Sequence, residues 1–136
     1  MLTQPCVLYV EDEAKSRRVM KMLLVNSMKL PNVTIFEDSV DFLVRAESLD
    51  PTPDVVFLDI HVKPYSGFEM LEMLRQSKKF AKTIVVALTA SVMNEEVARL
   101  RESGFDGCLS KPIDIDSFPN NLASILRGEE VWLITF

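Results

Sequence analysis

The apolar residues of this chain fall into two kinds of stretch that alternate along its length. The first is a short run with little polar interruption: Cys6-Val7-Leu8-Tyr9-Val10, Val33-Thr34-Ile35-Phe36, Val55-Val56-Phe57-Leu58-Asp59, Thr83-Ile84-Val85-Val86-Ala87-Leu88 and Gly107-Cys108-Leu109-Ser110. Runs this short, rich in β-branched residues and without alternation, predict strands buried on both faces, as in a parallel sheet. The run at Val55 follows Pro51-Thr52-Pro53-Asp54 and ends abruptly on a carboxylate, which suits the centre of such a sheet.

The second kind spaces apolar residues for one face of a helix. Residues 14–28 carry Val19, Met20, Leu23 and Leu24 on one stripe, with Lys15, Arg17, Arg18 and Lys21 largely on the others, and Pro31 and Asn32 end the pattern. Asp38 or Ser39 is expected to cap a second helix, with Val40, Leu43 and Val44 inward. Gly67 opens a third, with Phe68, Leu71 and Leu74 inward. Asn94 to Ser103 forms a fourth on Val97 and Leu100, stopped by Gly104. Asp116 to Arg127 forms a fifth on Phe118, Leu122, Ile125 and Leu126, with Pro119 in its first turn and Gly128 after it. Five strand–helix units in strict alternation predict one α/β domain, a parallel sheet covered by helices on both faces through right-handed crossovers.

Composition narrows the classes of function. The 136 residues suit a single domain with a substantial core, and 48% apolar with 26% charged is an ordinary globular mix. A formal charge of −5 without a Lys/Arg-rich block argues against direct nucleic-acid binding. Met1-Leu2-Thr3-Gln4-Pro5 lacks the positive start of a signal peptide, and no apolar run approaches the ~20 residues of a membrane span. Cys6 and Cys108 stand far apart, outside any CxxC or CxxxC setting, which fits reduced thiols and a cytoplasmic location.

The polar residues at the strand ends supply the chemistry. The first strand ends in Glu11-Asp12, the third in Asp59, the fourth in Thr89 and the fifth in Lys111. Carboxyl ends of parallel strands are where ligands bind in open α/β sheets. Singly, each residue has a plain alternative: Glu11, Asp12, Asp59 and Thr89 fit helix caps or loop positions, and Lys111 fits solvated surface. Together they gather three carboxylates, a hydroxyl and an ammonium on one sheet edge. Crowded carboxylates invite a hard divalent cation such as Mg²⁺. One of them can serve as a nucleophile towards phosphorus, while a lysine and a hydroxyl orient the phosphoryl oxygens. No Gly-rich loop is present to cradle a nucleotide, so the site suits a phosphoryl group.

These residues resemble the receiver domain of two-component response regulators. The resemblance rests on Tyr9-Val10-Glu11-Asp12-Glu13, Phe57-Leu58-Asp59, Leu88-Thr89-Ala90 and Leu109-Ser110-Lys111-Pro112, and spans about residues 5–127. It implies a flavodoxin-like (βα)5 sheet of strand order 2-1-3-4-5, an order for which the family's chemotaxis member is a standing example. In that order Cys6 and Cys108 lie on strands that are not neighbours and do not pair. The resemblance further implies that Asp59 accepts a phosphoryl group from a phosphohistidine on a sensor histidine kinase or phosphotransfer protein. Mg²⁺ (or Mn²⁺) would be held by Asp12 and Asp59 directly, by Glu11 through water and by the His61 backbone carbonyl. Thr89, the Ala90 backbone N–H and Lys111 would contact the phosphoryl group, Thr89 and Cys108 would form the switch, and the Lys111–Pro112 peptide would be cis.

Three departures from the family pattern stand out. Val62 and Lys63 replace the usual Met-Pro, with Pro64 one place later, although Gly67 keeps its distance. Cys108 replaces the usual aromatic residue of the switch, three places before the lysine. His61 and Ser91 hold the variable positions two after Asp59 and Thr89, which in the family tune phosphoryl lifetime. Met20, Met22, Met70 and Met73 lie at helical spacings that suit core or partner surface.

The expected organisation is a receiver over residues 1–128 and an apolar tail over 129–136, with no output domain. The tail either packs back on its own domain or uses Trp132 and Phe136 as anchors for a partner contact or a homodimer, for which the last helices are the other expected surface. The expected function is a phosphorylatable receiver, not a dedicated enzyme, that relays a signal by contact with a downstream protein. One alternative is an interaction module whose switching has weakened. Another, of a different class, is a Mg²⁺-dependent phosphatase using Asp59 as nucleophile. Haloacid-dehalogenase-type phosphatases place a second acid two positions on, where this chain has His61.

Overall fold

The computed structural model describes residues 4–90 and 93–132. Five strands and five helices alternate as the apolar pattern predicts: β1 (Val7–Val10), α1 (Ala14–Lys21), β2 (Val33–Phe36), α2 (Phe42–Glu47), β3 (Val55–Asp59), α3 (Gly67–Gln76), β4 (Ile84–Thr89), α4 (Asn94–Ser103), β5 (Gly107–Ser110) and α5 (Phe118–Leu126). A sixth strand, β6 (Val131–Trp132), follows. All pairings are parallel, in the order β2-β1-β3-β4-β5-β6. This is the doubly wound flavodoxin-like order 2-1-3-4-5, extended by one strand at the β5 edge.

The central strands β1 and β3 are buried along their whole length because helices cover both faces. One core lies under α2, α3 and α4 and includes Leu8, Val10, Val56, Leu58, Phe42, Met70, Leu74 and Leu100. The other lies under α1 and α5 and includes Tyr9, Phe57, Val86, Met20, Leu24, Phe118 and Leu122. The crossovers from β1 and β3 leave towards opposite faces, so the carboxyl ends of these two neighbours open a crevice at the topological switch point.

The first helix keeps its expected stripe but not its expected winding. Residues 14–21 are α-helical, and Met22–Ser27 continue as a π-helical segment whose i→i+5 bond joins the Met28 N–H to the Leu23 carbonyl. Met20, Leu23 and Leu24 are buried there, and Met22 faces outward. Met70 is buried under α3, and Met73 packs against the same core.

The second helix departs from expectation. Val40 and Val44 are 48% and 68% exposed, and the inward residues are Phe42 and Ala46, with Leu43 packed at the core's edge. The reason is local: Asp41 adopts a left-handed conformation and the helix begins only at Phe42, which rotates the expected stripe away from the sheet. Neither Asp38 nor Ser39 caps it. The Asp38 carboxylate accepts from the Val40 N–H, and Ser39 turns inward to the loop after β3.

The tail returns to its own domain as far as it is described, pairing Val131 with Gly107 and Trp132 with Cys108. Phe136 lies outside the described residues. Gly107 is what allows the approach, since a Cβ there would stand 2.6 Å from the Val131 carbonyl oxygen. Arg101 of α4 stacks over the Trp132 ring at 4.4 Å. Cys6, just before β1, and Cys108 on β5 are both buried free thiols, with β3 and β4 between the two strands. No helix among the described residues is long and apolar enough to cross a membrane.

Candidate functional site

The strand ends bring the sequence-predicted residues to one crevice. Asp59 closes β3 and is 4% exposed; Glu11, just past β1, is fully buried, and Asp12 beside it is exposed. Carboxylate oxygens of all three lie within 4.8 Å of one another. Lys111 reaches in from the end of β5, its ammonium 3.0 Å from Glu11 Oε1 and 3.5 Å from Asp59 Oδ2. The Lys111 N–H also bonds the Thr89 carbonyl at 2.9 Å, which ties the ends of β4 and β5 together. Thr89 is fully buried and Ala90 is exposed beside it.

These placements remove the helix-cap and solvated-surface readings. Glu13, not Glu11 or Asp12, holds the residue before α1, and Met93 holds that before α4, so none of the candidate polar residues is a helix cap. Lys111 is not solvated surface, since its side chain is only 16% exposed. The His61 side chain is largely exposed, with Nε2 3.8 Å from Glu96 Oε1, while its backbone N–H donates to Asp59 Oδ1 at 3.3 Å. Ser91 lies outside the described residues. The Lys111–Pro112 peptide is cis, as are Asp50–Pro51 and Lys63–Pro64.

The loop that follows Asp59 is fixed at both ends. At its far end, Ser66 and Glu69 form a reciprocal capping box on α3. Gly67 packs so closely on the end of β3 that an added Cβ would fall 2.9 Å from the Ile60 Cα. Between these points Ser39 clamps the shifted segment: its hydroxyl donates to the Tyr65 carbonyl at 2.8 Å and accepts from the Tyr65 N–H at 2.7 Å. Its own N–H donates to the Lys63 carbonyl. Val62 turns into the core and Lys63 stays exposed, so the place normally held by Met-Pro carries a buried apolar residue followed by a cation.

Burial raises the Glu11 carboxyl above the usual carboxylate range, the neighbouring Asp59 adds to the rise, and Lys111 and Tyr9 oppose it. Burial works against the Lys111 ammonium too, but Glu11 and Asp59 outweigh it and its pKa is raised. Both partners of the pair therefore rise, for different reasons: desolvation wins on the acid and attraction wins on the base. Lys111 remains a fixed cation facing the carboxylates. Three carboxylates with oxygens within 4.8 Å of one another, Asp12 among them open to solvent, fit a small hard cation such as Mg²⁺.

Two neighbours of the site are not among the strand-end residues. The Tyr9 hydroxyl donates to Glu11 Oε1 at 2.8 Å. The period of two along a strand, which puts residues 9 and 11 on one face, is the signal that could have found it. Trp132 lies beside Cys108 in the sheet, so an aromatic ring does neighbour the switch position, supplied by the next strand. Only the pairing of β6 brings it there.

Residues 7–123 match the response regulator receiver domain, the family to which the chain belongs. Over 127 residues it is 25% identical to Hybrid signal transduction histidine kinase D of Dictyostelium discoideum, covering 89% of this chain and 8% of that protein. Over 74 residues it is 31% identical to the polar-differentiation response regulator DivK of Brucella ovis, covering 54% of this chain and 60% of the relative. The chain thus matches less than two thirds of the length of each. Its fold superposes on chemotaxis response regulator CheY4 of Vibrio cholerae with a TM-score of 0.79 at 23% identity, over 90% of this chain and 99% of that one. Receiver domains are generally phosphoacceptors rather than dedicated enzymes, bind Mg²⁺ at an acidic pocket, and interact with histidine kinases or phosphotransfer proteins.

Proposed function

We propose that this chain is a phosphorylatable receiver that takes a phosphoryl group on Asp59 and passes the signal on by protein–protein contact. The observation that carries the reading is Asp59 itself: a nearly buried carboxylate at the end of a central strand, inside a three-carboxylate group and facing Lys111. An Asp59 oxygen attacks phosphorus, the P–N bond of the donor phosphohistidine breaks, and the leaving imidazole nitrogen keeps the electron pair and takes a proton. Asp12 and Asp59 would hold Mg²⁺ directly, with Glu11 acting through water and the His61 carbonyl completing the set. Bound there, the ion would neutralise charge on the phosphoryl oxygens. Thr89, the Ala90 N–H and Lys111 take the remaining oxygens, in a mechanism that is positional and electrostatic.

Incubation with Mg²⁺ and acetyl phosphate, followed by intact-mass measurement, tests this. One phosphoryl adduct is expected on the unaltered chain and none on Asp59→Asn; an adduct that survives the substitution, or none at all, rejects the assignment. A second reading, an interaction module with weakened switching, is favoured by one observation: Cys108 is a buried thiol where the family carries a mobile aromatic ring. A phosphoryl adduct that leaves backbone amide exchange around α4 and β5 unchanged would support it.

A further inference from the structure

Tyr9 is buried to 1% in the core under α1 and α5, opposite Phe57 on the next strand. Phe57 shows that this core accepts a plain phenyl ring, so the hydroxyl is not needed to fill space. A buried hydroxyl is unfavourable without a partner. Tyr9 has one: its O–H donates to Glu11 Oε1 at 2.8 Å. Lys111 holds the same oxygen at 3.0 Å and Oε2 at 3.2 Å, and the Glu13 N–H approaches Oε2 at 3.3 Å.

Among these donors Lys111 has a second claim, since Asp59 Oδ2 lies 3.5 Å from its ammonium. A phosphoryl group on Asp59 adds negative charge there and draws the ammonium towards it. Glu11, fully buried, then retains the neutral donors Tyr9 and the Glu13 N–H. Of these the phenol gives the shorter bond. It comes from a ring locked in the core and cannot follow the lysine. Resting on the phosphoacceptor reading above, we propose that Tyr9 is a positioning residue, whose hydroxyl holds the Glu11 carboxylate at the Asp12–Asp59 cluster, beside Lys111 in the resting chain and in its place when Lys111 turns towards Asp59. It touches neither the phosphoryl group nor the ion, and it acts through Glu11.

Mg²⁺ titration calorimetry on the full chain tests this, with thermal melts in EDTA run beside it. Partners that orient metal-site carboxylates typically account for 10–100-fold in affinity, so Tyr9→Phe is expected to weaken Mg²⁺ binding roughly 10-fold. Its melting temperature in EDTA should move little. In a Glu11→Gln background the same substitution should add nothing, because the carboxylate it positions is gone. Unchanged Mg²⁺ affinity with a lowered melting temperature would mark Tyr9 as packing only and overturn the proposal. An equal loss in the Glu11→Gln background would overturn it too. A parent chain that takes up no Mg²⁺ would remove the phosphoacceptor reading as well, whereas normal uptake by both Tyr9→Phe and the parent rejects the Tyr9 role alone.

Discussion

Cys108 shows how one residue departs from its family and still fits its fold. The thiol is 1% exposed, between Ala87 on β4 and Trp132 on β6. Burial, with Glu96 adding to it, pushes its pKa up to about 11. An acid whose pKa is higher in the folded state than in the unfolded chain stabilises the fold only while it keeps its proton. That contribution is complete below the unfolded value of 9.0 and is lost as the pH rises through about 11. The burial of Tyr9, followed by the charge and hydrogen bond of Glu11, raises its phenol as well, and acts in the same direction at higher pH. Urea melts between pH 8 and 11 should therefore show stability falling, and Cys108→Val should remove on the order of 2 kcal/mol of that fall. An identical pH slope in the variant would show that the thiol is solvated. The same burial predicts that a neutral-pH thiol reagent labels Cys108 far more slowly in the native chain than in urea.

At the scale of elements, the strand runs and helical stripes were legible because burial imposes period on sequence. Where the periodic signal was weak, the reading failed. Val40, Leu43 and Val44 have helical spacing, but a single left-handed residue at Asp41 sets the phase of α2 and puts two of them in water. The π-helical segment of Met22–Ser27 was illegible because the stripe Met20, Leu23, Leu24 reads the same for either winding. β6 was missed as a strand because two residues carry no period. Its docking depends on Gly107, where β5 and β6 come too close for a side chain. Gly107→Ala should expel β6 and destabilise the domain by about 1–3 kcal/mol, the usual range for overpacking. Trp132 is the chain's one tryptophan, so its emission should shift to the red as the ring leaves Cys108 and Arg101. An unshifted spectrum would show that the sheet edge adjusts around the methyl group.

For the whole molecule, the site is a consequence of winding. β1 and β3 are adjacent although β2 lies between them in sequence, so Glu11, Asp12 and Asp59 meet. Such a concentration of like charge works against folding. A cation that binds only the folded arrangement should then stabilise it by linkage, by about 2.7 kcal/mol at a concentration 100 times its Kd. Mg²⁺ should raise the melting temperature by several degrees, and the rise should vanish in Asp12→Asn. An undiminished shift in that variant would exclude Asp12 as a ligand.

The sequence alone determined that five strands alternate with five helices, and that acids, a hydroxyl and a lysine end four of those strands; β2, read as buried on both faces, is half-buried because it forms the sheet edge. Burial and backbone hydrogen bonding leave those marks locally, in runs and spacings that need no partner to be read. The tertiary structure decided what depends on distant segments meeting. Lys111 leans on Glu11 more closely than on Asp59, Ser39 clamps the loop at Tyr65, Tyr9 bonds Glu11, and Trp132 stands beside Cys108. Each of these is set by register between strands or by the path of a loop, and neither is encoded in the period of any one stretch.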